Sequence, residues 1–329
     1  MKRRRFIVYS AGVAAAWPLS ALAQPAGQIR RVGVLTGLAQ SDLEAQERVA
    51  AFRERLQKLG WTEGGNLRII TRWAAGDIAR TRAYAAELVD LAPDVILVNT
   101  PPGLAALQTA TRRIPVVFVQ VVDAAEGTIK SPAHPGGNVT GFYTVFDYSI
   151  AGKWLELLKE VAPRIRRVAA MQDPKHPAWS KYLSAVKDVA PSLGIEVIPA
   201  PVQEPAEIER AIDMLAREPD GGLIVLPDSF TAVHRGRIIA AAARYRLPAV
   251  SHLKGFAAAG GLMSYGADLV DLVGQAASYV DRILRGRRPA ELPVQASTKF
   301  ELVVNLNTAR AFDLKVPQTI LLRADRVIE

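Results

Sequence analysis

The residues able to do chemistry in this chain are few and scattered. Its four histidines, His134, His176, His234 and His252, form no HxxH or HxxxH pair and have no acidic cluster beside them. The spacing that gathers metal ligands on one helix face is therefore missing. There is no cysteine, which removes disulfides, thiol nucleophiles, iron–sulfur clusters and Cys-ligated zinc. Neither GxGxxG nor GxxxxGK[ST] occurs, so no phosphate-cradling loop points to a nucleotide, and no cofactor is expected. Gly261-Leu262-Met263-Ser264-Tyr265-Gly266 approaches a hydrolase elbow, but Leu262 stands where G-x-S-x-G needs glycine. Ser264 reads instead as a polar group at a strand end, and no catalytic residue is assigned.

What remains is binding chemistry, gathered where short apolar runs end. Asn99-Thr100-Pro101-Pro102-Gly103 follows such a run and opens a helix, with Thr100 as N-cap and proline in the first turn. A helix start offers N–H groups to a carboxylate or other anion, although a plain cap explains the same residues. Leu226-Pro227-Asp228-Ser229 stands at the matching place later in the chain. There Asp228 suits a ligand ammonium or hydroxyl, or simply caps its own helix. Thr36 and Ser41, Gln120 and Asp123, Gln172 and Asp173, and Ser251 and His252 follow further runs, while Trp73, Tyr143, Phe146 and Tyr265 are candidates for an aromatic wall. The expected ligand-binding set is Thr36, Ser41, Trp73, Asn99, Thr100, Pro101, Gln120, Asp123, Tyr143, Asp173, Asp228, Ser229, His252 and Tyr265.

The elements that would position these groups alternate. Val32–Thr36, Leu67–Arg72, Asp94–Val98 and Val116–Val119 read as strands. Between them Val49, Phe52, Leu56 and Leu59, and then Tyr84, Leu88 and Leu91, recur at helical spacing. Apolar strands alternating with helices predict a parallel sheet covered on both faces. The second half repeats the scheme through Arg167–Met171, Ile195–Pro199, Leu223–Leu226 and Pro248–Ser251, with Ile208, Ile212 and Leu215 on one helix. Arg31-Val32 matches Arg167-Val168, Leu59-Gly60 matches Leu193-Gly194, and Ile114-Pro115 matches Leu247-Pro248, all at nearly one offset. The fold class is therefore α/β, as two Rossmann-like lobes of like topology. Ligands of parallel sheets sit at the C-terminal strand ends, so facing lobes would direct all these loops into one cleft. After Gly260-Gly261 come a strand at Leu262–Tyr265, a long helix with Leu269, Val273, Ala276, Val280 and Ile283 on one face, and a strand at Phe300–Val304. A tail this long is expected to cross back between the lobes.

Charge and the N-terminus narrow the function classes. The 329 residues hold 41 Lys+Arg against 32 Asp+Glu, a formal charge of +9. Residues 1–23 contribute Lys2, Arg3, Arg4 and Arg5 with no acid, leaving 37 basic against 32 acidic residues, or +5. So mild an excess, without a long basic block, argues against nucleic acid as a partner. Met1–Arg5 is basic, Phe6–Ser20 apolar, and Ala21-Leu22-Ala23 a small-x-small cleavage site, the three parts of an export signal. Arg3-Arg4-Arg5-Phe6-Ile7 leaves Sec and twin-arginine routes both open. Without cysteine no lipid anchor can be attached, so the mature chain is expected to be soluble in the periplasm.

Several longer strings carry a resemblance. They are Ala51-Phe52-Arg53 with Leu59-Gly60-Trp61, Arg72-Trp73-Ala74, Ala86-Glu87-Leu88-Val89 and Pro135-Gly136-Gly137-Asn138-Val139-Thr140-Gly141. Ala259-Gly260-Gly261-Leu262-Met263-Ser264-Tyr265-Gly266, Leu292-Pro293-Val294-Gln295 and Thr298-Lys299-Phe300-Glu301 follow. Through them the chain, from about Arg31 to Glu329, resembles the tryptophan/tyrosine-type ABC-transporter substrate-binding family, of the type I periplasmic binding-protein fold. The resemblance implies two lobes joined by a three-crossing hinge, with residues 30–142 plus 265–292 as lobe 1 and 143–264 plus 293–329 as lobe 2. It further implies a monomer that closes on a small amino-acid-like or aromatic carboxylate ligand and presents it to an inner-membrane ABC permease. A ligand sensor on the same fold and an exported α/β hydrolase are the alternatives.

Overall fold

A computed structural model describes residues 29–121, 129–145 and 148–329. The expected export signal, Asp123 and Phe146 lie outside the described residues. The first sheet contains β1 (Arg30–Thr36), β2 (Leu67–Trp73), β3 (Val95–Val98), β4 (Val116–Val121) and β5 (Val139–Tyr143), with β11 (Gln295–Ala296) added late. Their order is β11-β5-β4-β3-β1-β2, and every pairing is parallel. The second sheet contains β6 (Arg167–Gln172), β7 (Glu196–Pro201), β8 (Gly221–Val225), β9 (Ala249–Ser251), β10 (Met263–Ala267), β12 (Phe300–Asn305) and β13 (Arg326–Ile328). Its order is β13-β12-β10-β9-β8-β6-β7, with β10 and β12 antiparallel. The first five strands of each sheet thus share one order, and the internal repeat read from the sequence is structural.

Burial follows from composition. Val95–Val98 is Val-Ile-Leu-Val and buried throughout, as a strand covered on both faces must be. Helices α1 (Leu43–Lys58) and α10 (Leu269–Leu284) cover one face of the first sheet, and α2 (Ile78–Asp90) and α3 (Pro101–Ala110) the other. Phe52 and Leu56 of α1 pack with Leu272, Val273, Ala276 and Val280 of α10, so the helical periods predicted for both are their buried faces. Leu91 departs from its expected face: it caps α2 and is partly exposed, because the helix ends one residue earlier. In the second lobe α4 (Ile150–Val161) and α5 (Trp179–Val189) cover one face, and α6 (Pro205–Ala216) and α8 (Arg235–Arg244) the other. Short helices α7 (Ser229–Val233), α9 (Lys254–Ala258), α11 (Leu306–Ala311) and α12 (Gln318–Arg323) complete it.

Three segments cross between the sheets. The chain leaves β5 for α4, passes from β10 through Asp268 into α10, and returns from β11 to β12 through residues 297–299. The crossings are tied to one another: Ser297 N donates to Tyr143 O and Asp268 N donates to Lys299 O, each at 2.9 Å. They fall slightly beyond the boundaries read from the sequence. Tyr143 still pairs in the first sheet, Met263–Ala267 completes its pairing with β12 before leaving, and Gln295–Ala296 adds an edge beside β5.

Two glycines of the longer strings have a steric reason. A Cβ on Gly141 would lie 2.1 Å from Phe118 O, and one on Gly266 2.1 Å from His252 O. No side chain fits such an approach. Beside Gly141 the β4–β5 register shifts between Phe118 and Val121, and Gln120 takes φ +58°. A bulge of this kind re-aims the side chain it carries.

Candidate functional site

The two lobes enclose a cavity of about 450 Å³ between their C-terminal strand ends. From the first lobe come Asn99, Thr100 and Pro101 after β3 and Gln120 at the bulge of β4. From the second come Asp228 and Ser229 after β8 and His252 after β9. Seven of the predicted residues therefore converge, because both sheets present the same end of each strand to the cleft.

The strand-end loops are locked by their own side chains. Asn99 bridges the gap between β1 and β3: its Oδ1 accepts from Gly37 N at 3.1 Å and its Nδ2 donates to Thr36 Oγ1 at 3.1 Å. Thr100 Oγ1 caps α3 by accepting from Gly103 N at 3.1 Å. The expected anion-binding N–H groups at this helix start are not there. Pro101 and Pro102 carry no N–H, and the Gly103 N–H is spent on the cap.

In the second lobe Asp228 performs both jobs. Oδ1 accepts from Thr231 N at 2.6 Å, capping α7, and Oδ2 accepts from Asp173 N at 3.1 Å across the β6–β8 gap. Burial pushes its pKa up to about 6, against the opposing pull of those N–H donors. A carboxylate that lines a cavity, held by two N–H donors but with no cationic partner among the described residues, suits a cationic or hydroxylic ligand group. His252 is pushed down to about 3 by burial and by the Arg48 charge, and His176 to about 4 by burial. Both therefore face the cavity as neutral rings.

The other predicted residues lie elsewhere. Thr36 is buried behind Asn99, and Ser41 is exposed in the turn before α1. Trp73 packs at the edge of the first core. Tyr143 is buried with its ring 5.2 Å from Phe118. Tyr265 stacks on Phe300 within the second sheet, while its carbonyl accepts from Trp154 Nε1. Asp173 supports Asp228 through its backbone, and its carboxylate accepts from Lys175 N. Ser264, expected at a strand end, is inside β10 and buried. Thr36 and Asp173 are thus spent on holding cavity residues, Ser41 lies in a turn, and the rings of Trp73, Tyr143 and Tyr265 are taken up by packing.

The aromatic wall comes from residues the sequence reading did not select. Tyr148, Trp154 and Tyr182 line the cavity, with Tyr182 edge-on to Tyr148 at 4.9 Å and 6.0 Å from Trp154. Lys181 lies 5.5 Å over the Tyr148 ring at the rim, a cation–π distance. Trp154 and Tyr182 sit on the buried faces of α4 and α5, so by period alone they read as core. For Tyr148 and Trp154 the sequence signal is the run of aromatics near the first crossing, and Tyr182 lies outside it.

Among the described residues no helix is long and apolar enough to cross a membrane, and no three His, Cys, Asp or Glu residues are grouped to hold a metal ion. A tyrosine-binding protein from Clostridioides difficile is 26% identical over 266 residues, covering 80% of this chain and 76% of that protein. A conserved domain protein from Vibrio cholerae has a structure matching at TM-score 0.84 and 26% identity, over 91% of this chain and all of that one. A Streptococcus pneumoniae ABC domain in complex with L-Trp matches at TM-score 0.82 and 22% identity, over 91% and 99%. A ligand-free, open substrate-binding protein with adhesive properties from Clostridium difficile matches at TM-score 0.66 and 24% identity, over 91% and 99%. The family described as ABC transporter substrate binding protein matches residues 31–328. With both lobes, their crossings and the cleft inside that match, the chain belongs to the ABC transporter substrate-binding protein family.

Proposed function

We propose that this chain is the exported, periplasmic solute-binding component of an ABC importer, and that its interlobe cavity takes an amino acid with an aromatic side chain. The observation that carries this reading is a cavity lined by both aromatic rings and a carboxylate. Tyr148, Trp154 and Tyr182 supply the rings, and Asp228 supplies the charge. A volume of about 450 Å³ lies in the range of small-molecule sites. The tyrosine-binding relative and the L-Trp complex support the same solute class.

In this reading the solute ammonium meets Asp228, and its carboxylate meets side-chain donors, since α3 has no N–H to give. Contacts to both lobes favour the closed arrangement over an open one, and the crossings act as the hinge. The closed monomer then docks on an inner-membrane permease. No catalytic role is assigned to any residue.

The test is mass spectrometry of small molecules that co-purify with the mature protein, with a thermal-shift panel beside it. A bound solute at a hundred times its Kd adds about 2.7 kcal/mol, so tyrosine or tryptophan should raise Tm by several degrees. Stabilisation by sugars alone would sink the solute assignment.

A further inference from the structure

One buried ion pair touches both the cavity wall and the seam between the lobes. Glu44 and Arg48, one turn apart on α1, are both buried and paired through Arg48 Nη2 and Glu44 Oε1. Arg48 lines no part of the cavity, but its Nη1 donates to Gln120 Oε1 at 3.0 Å. A guanidinium only donates, so the Gln120 oxygen must face Arg48. The side-chain nitrogen is then what Gln120 offers the cavity. The backbone at this point is held at φ +58°, an unfavourable conformation for a non-glycine residue that surrounding contacts must maintain.

The other end of the pair reaches across the seam. Glu44 Oε2 accepts from Gly255 N of α9, in the second lobe, at 3.2 Å. A Cβ on Gly255 would lie 2.5 Å from that oxygen. Around it Asp42 pairs with Arg235, and Glu47 with Lys254, also from lobe to lobe. Ala232 and Leu253 of the second lobe join the first lobe's apolar cluster. His252, the next cavity residue, feels the Arg48 charge and has a buried Nδ1 with no hydrogen-bond partner.

We propose that the Glu44–Arg48 pair is a positioning device that couples solute recognition to lobe closure. Arg48 holds Gln120 as a donor toward an acceptor oxygen of the solute, and Glu44 seats Gly255 only when the lobes meet. The inference rests on the aromatic amino-acid reading and specifies one end of that site. Gly255→Ala should then disfavour the closed arrangement while leaving each lobe intact, since alanine suits a helix better than glycine.

Calorimetric titrations with L-tyrosine, L-phenylalanine and tyramine test this in the full mature chain. Phenylalanine lacks the phenol oxygen and tyramine the carboxylate, so one of them lacks the acceptor that meets Gln120. In the unaltered chain that analogue should bind about tenfold more weakly than tyrosine. Arg48→Lys should bring the ratio close to one, whereas a purely structural role would weaken all three probes alike. Gly255→Ala should weaken tyrosine about tenfold with ligand-free Tm maintained. Gly236→Ala, a helical glycine with nothing within 4 Å of its Cβ position, should change neither. Failure of the unaltered chain to bind any of the three probes overturns the solute reading and this inference with it. Binding with the discrimination ratio unchanged in Arg48→Lys, or with tyrosine affinity unchanged in Gly255→Ala, overturns the inference alone.

Discussion

The loop after β3 and the loop after β8 occupy the same place in two lobes of the same topology, yet they solve one problem differently. Each must tie down the gap beside the first strand and cap the helix that follows. The first lobe divides the work between two neutral residues, Asn99 for the gap and Thr100 for the cap. The second gives both jobs to Asp228. Among the described residues, the difference leaves the second lobe with a carboxylate at the cavity and the first with none. The prolines widen the contrast, since Pro101 and Pro102 strip α3 of the N–H groups that would favour an anion. Among the described residues one wall is therefore neutral, while the other has charge and, from α4 and α5, the aromatic surface.

The largest effect should come from the aromatic side of this contrast. Tyr182→Ala removes a fully buried ring from the second core and from the cavity wall. It should cost about 3–5 kcal/mol by denaturant unfolding, with tyrosine binding lost. A loss below about 1 kcal/mol would mean that the wall packs on nothing.

Asp228→Ala comes next. Loss of the cap alone should cost about 1–2 kcal/mol, and affinity for an amino acid should fall about tenfold or more with the charge. Unchanged affinity would remove Asp228 from the ammonium role. The charge also sets a pH dependence. Because the folded pKa of Asp228 is raised to about 6 from 3.8, its contribution favours the ligand-free fold below the ordinary value and is lost as pH rises through about 6. Ammonium binding favours the ionised form, so amino-acid affinity should be flat above pH 6 and fall by up to about tenfold per unit below it. Asp228→Asn should flatten that profile in titrations between pH 5 and 7. His176 and His252, already neutral there, should leave it alone.

Smaller effects probe the first lobe. Thr100→Ala should cost about 1 kcal/mol through the α3 cap, and carboxylate recognition should suffer no more than stability does. Pro102→Ala restores one N–H at the helix start and should change stability by under about 1 kcal/mol. If it tightened binding of a carboxylate severalfold over the matching amine, the missing N–H groups would be what keeps the α3 start from binding an anion.

Much of this was legible before the fold was known. Strand runs such as Val95–Val98, the helical period of Phe52 and Leu56, and the repeated landmarks around Arg31 and Arg167 are local patterns. Local patterns fix local structure because burial must match the period of the element. The cleft residues Asn99, Thr100, Gln120, Asp228 and His252 were also reachable, since parallel sheets present their loops at one end. Tyr148, Trp154 and Tyr182 were not. Tyr148 precedes α4, and at the helical spacing of Trp154 and Tyr182 an aromatic that lines a cavity and one that fills a core look alike until α4 packs against α5.

The sequence by itself determined two α/β lobes on one plan, a cysteine-free chain and a set of strand-end polar groups. Only the tertiary structure decided which of those groups face the cleft and that Glu44 and Arg48 join the cavity wall to the seam. The physical reason is range. Periodicity, capping and proline geometry act within a few residues, whereas Arg48 meets Gln120 and Glu44 meets Gly255 across sequence separations of 72 and 211. The first contact exists only once α1 has packed on its sheet, and the second only once the two lobes have met.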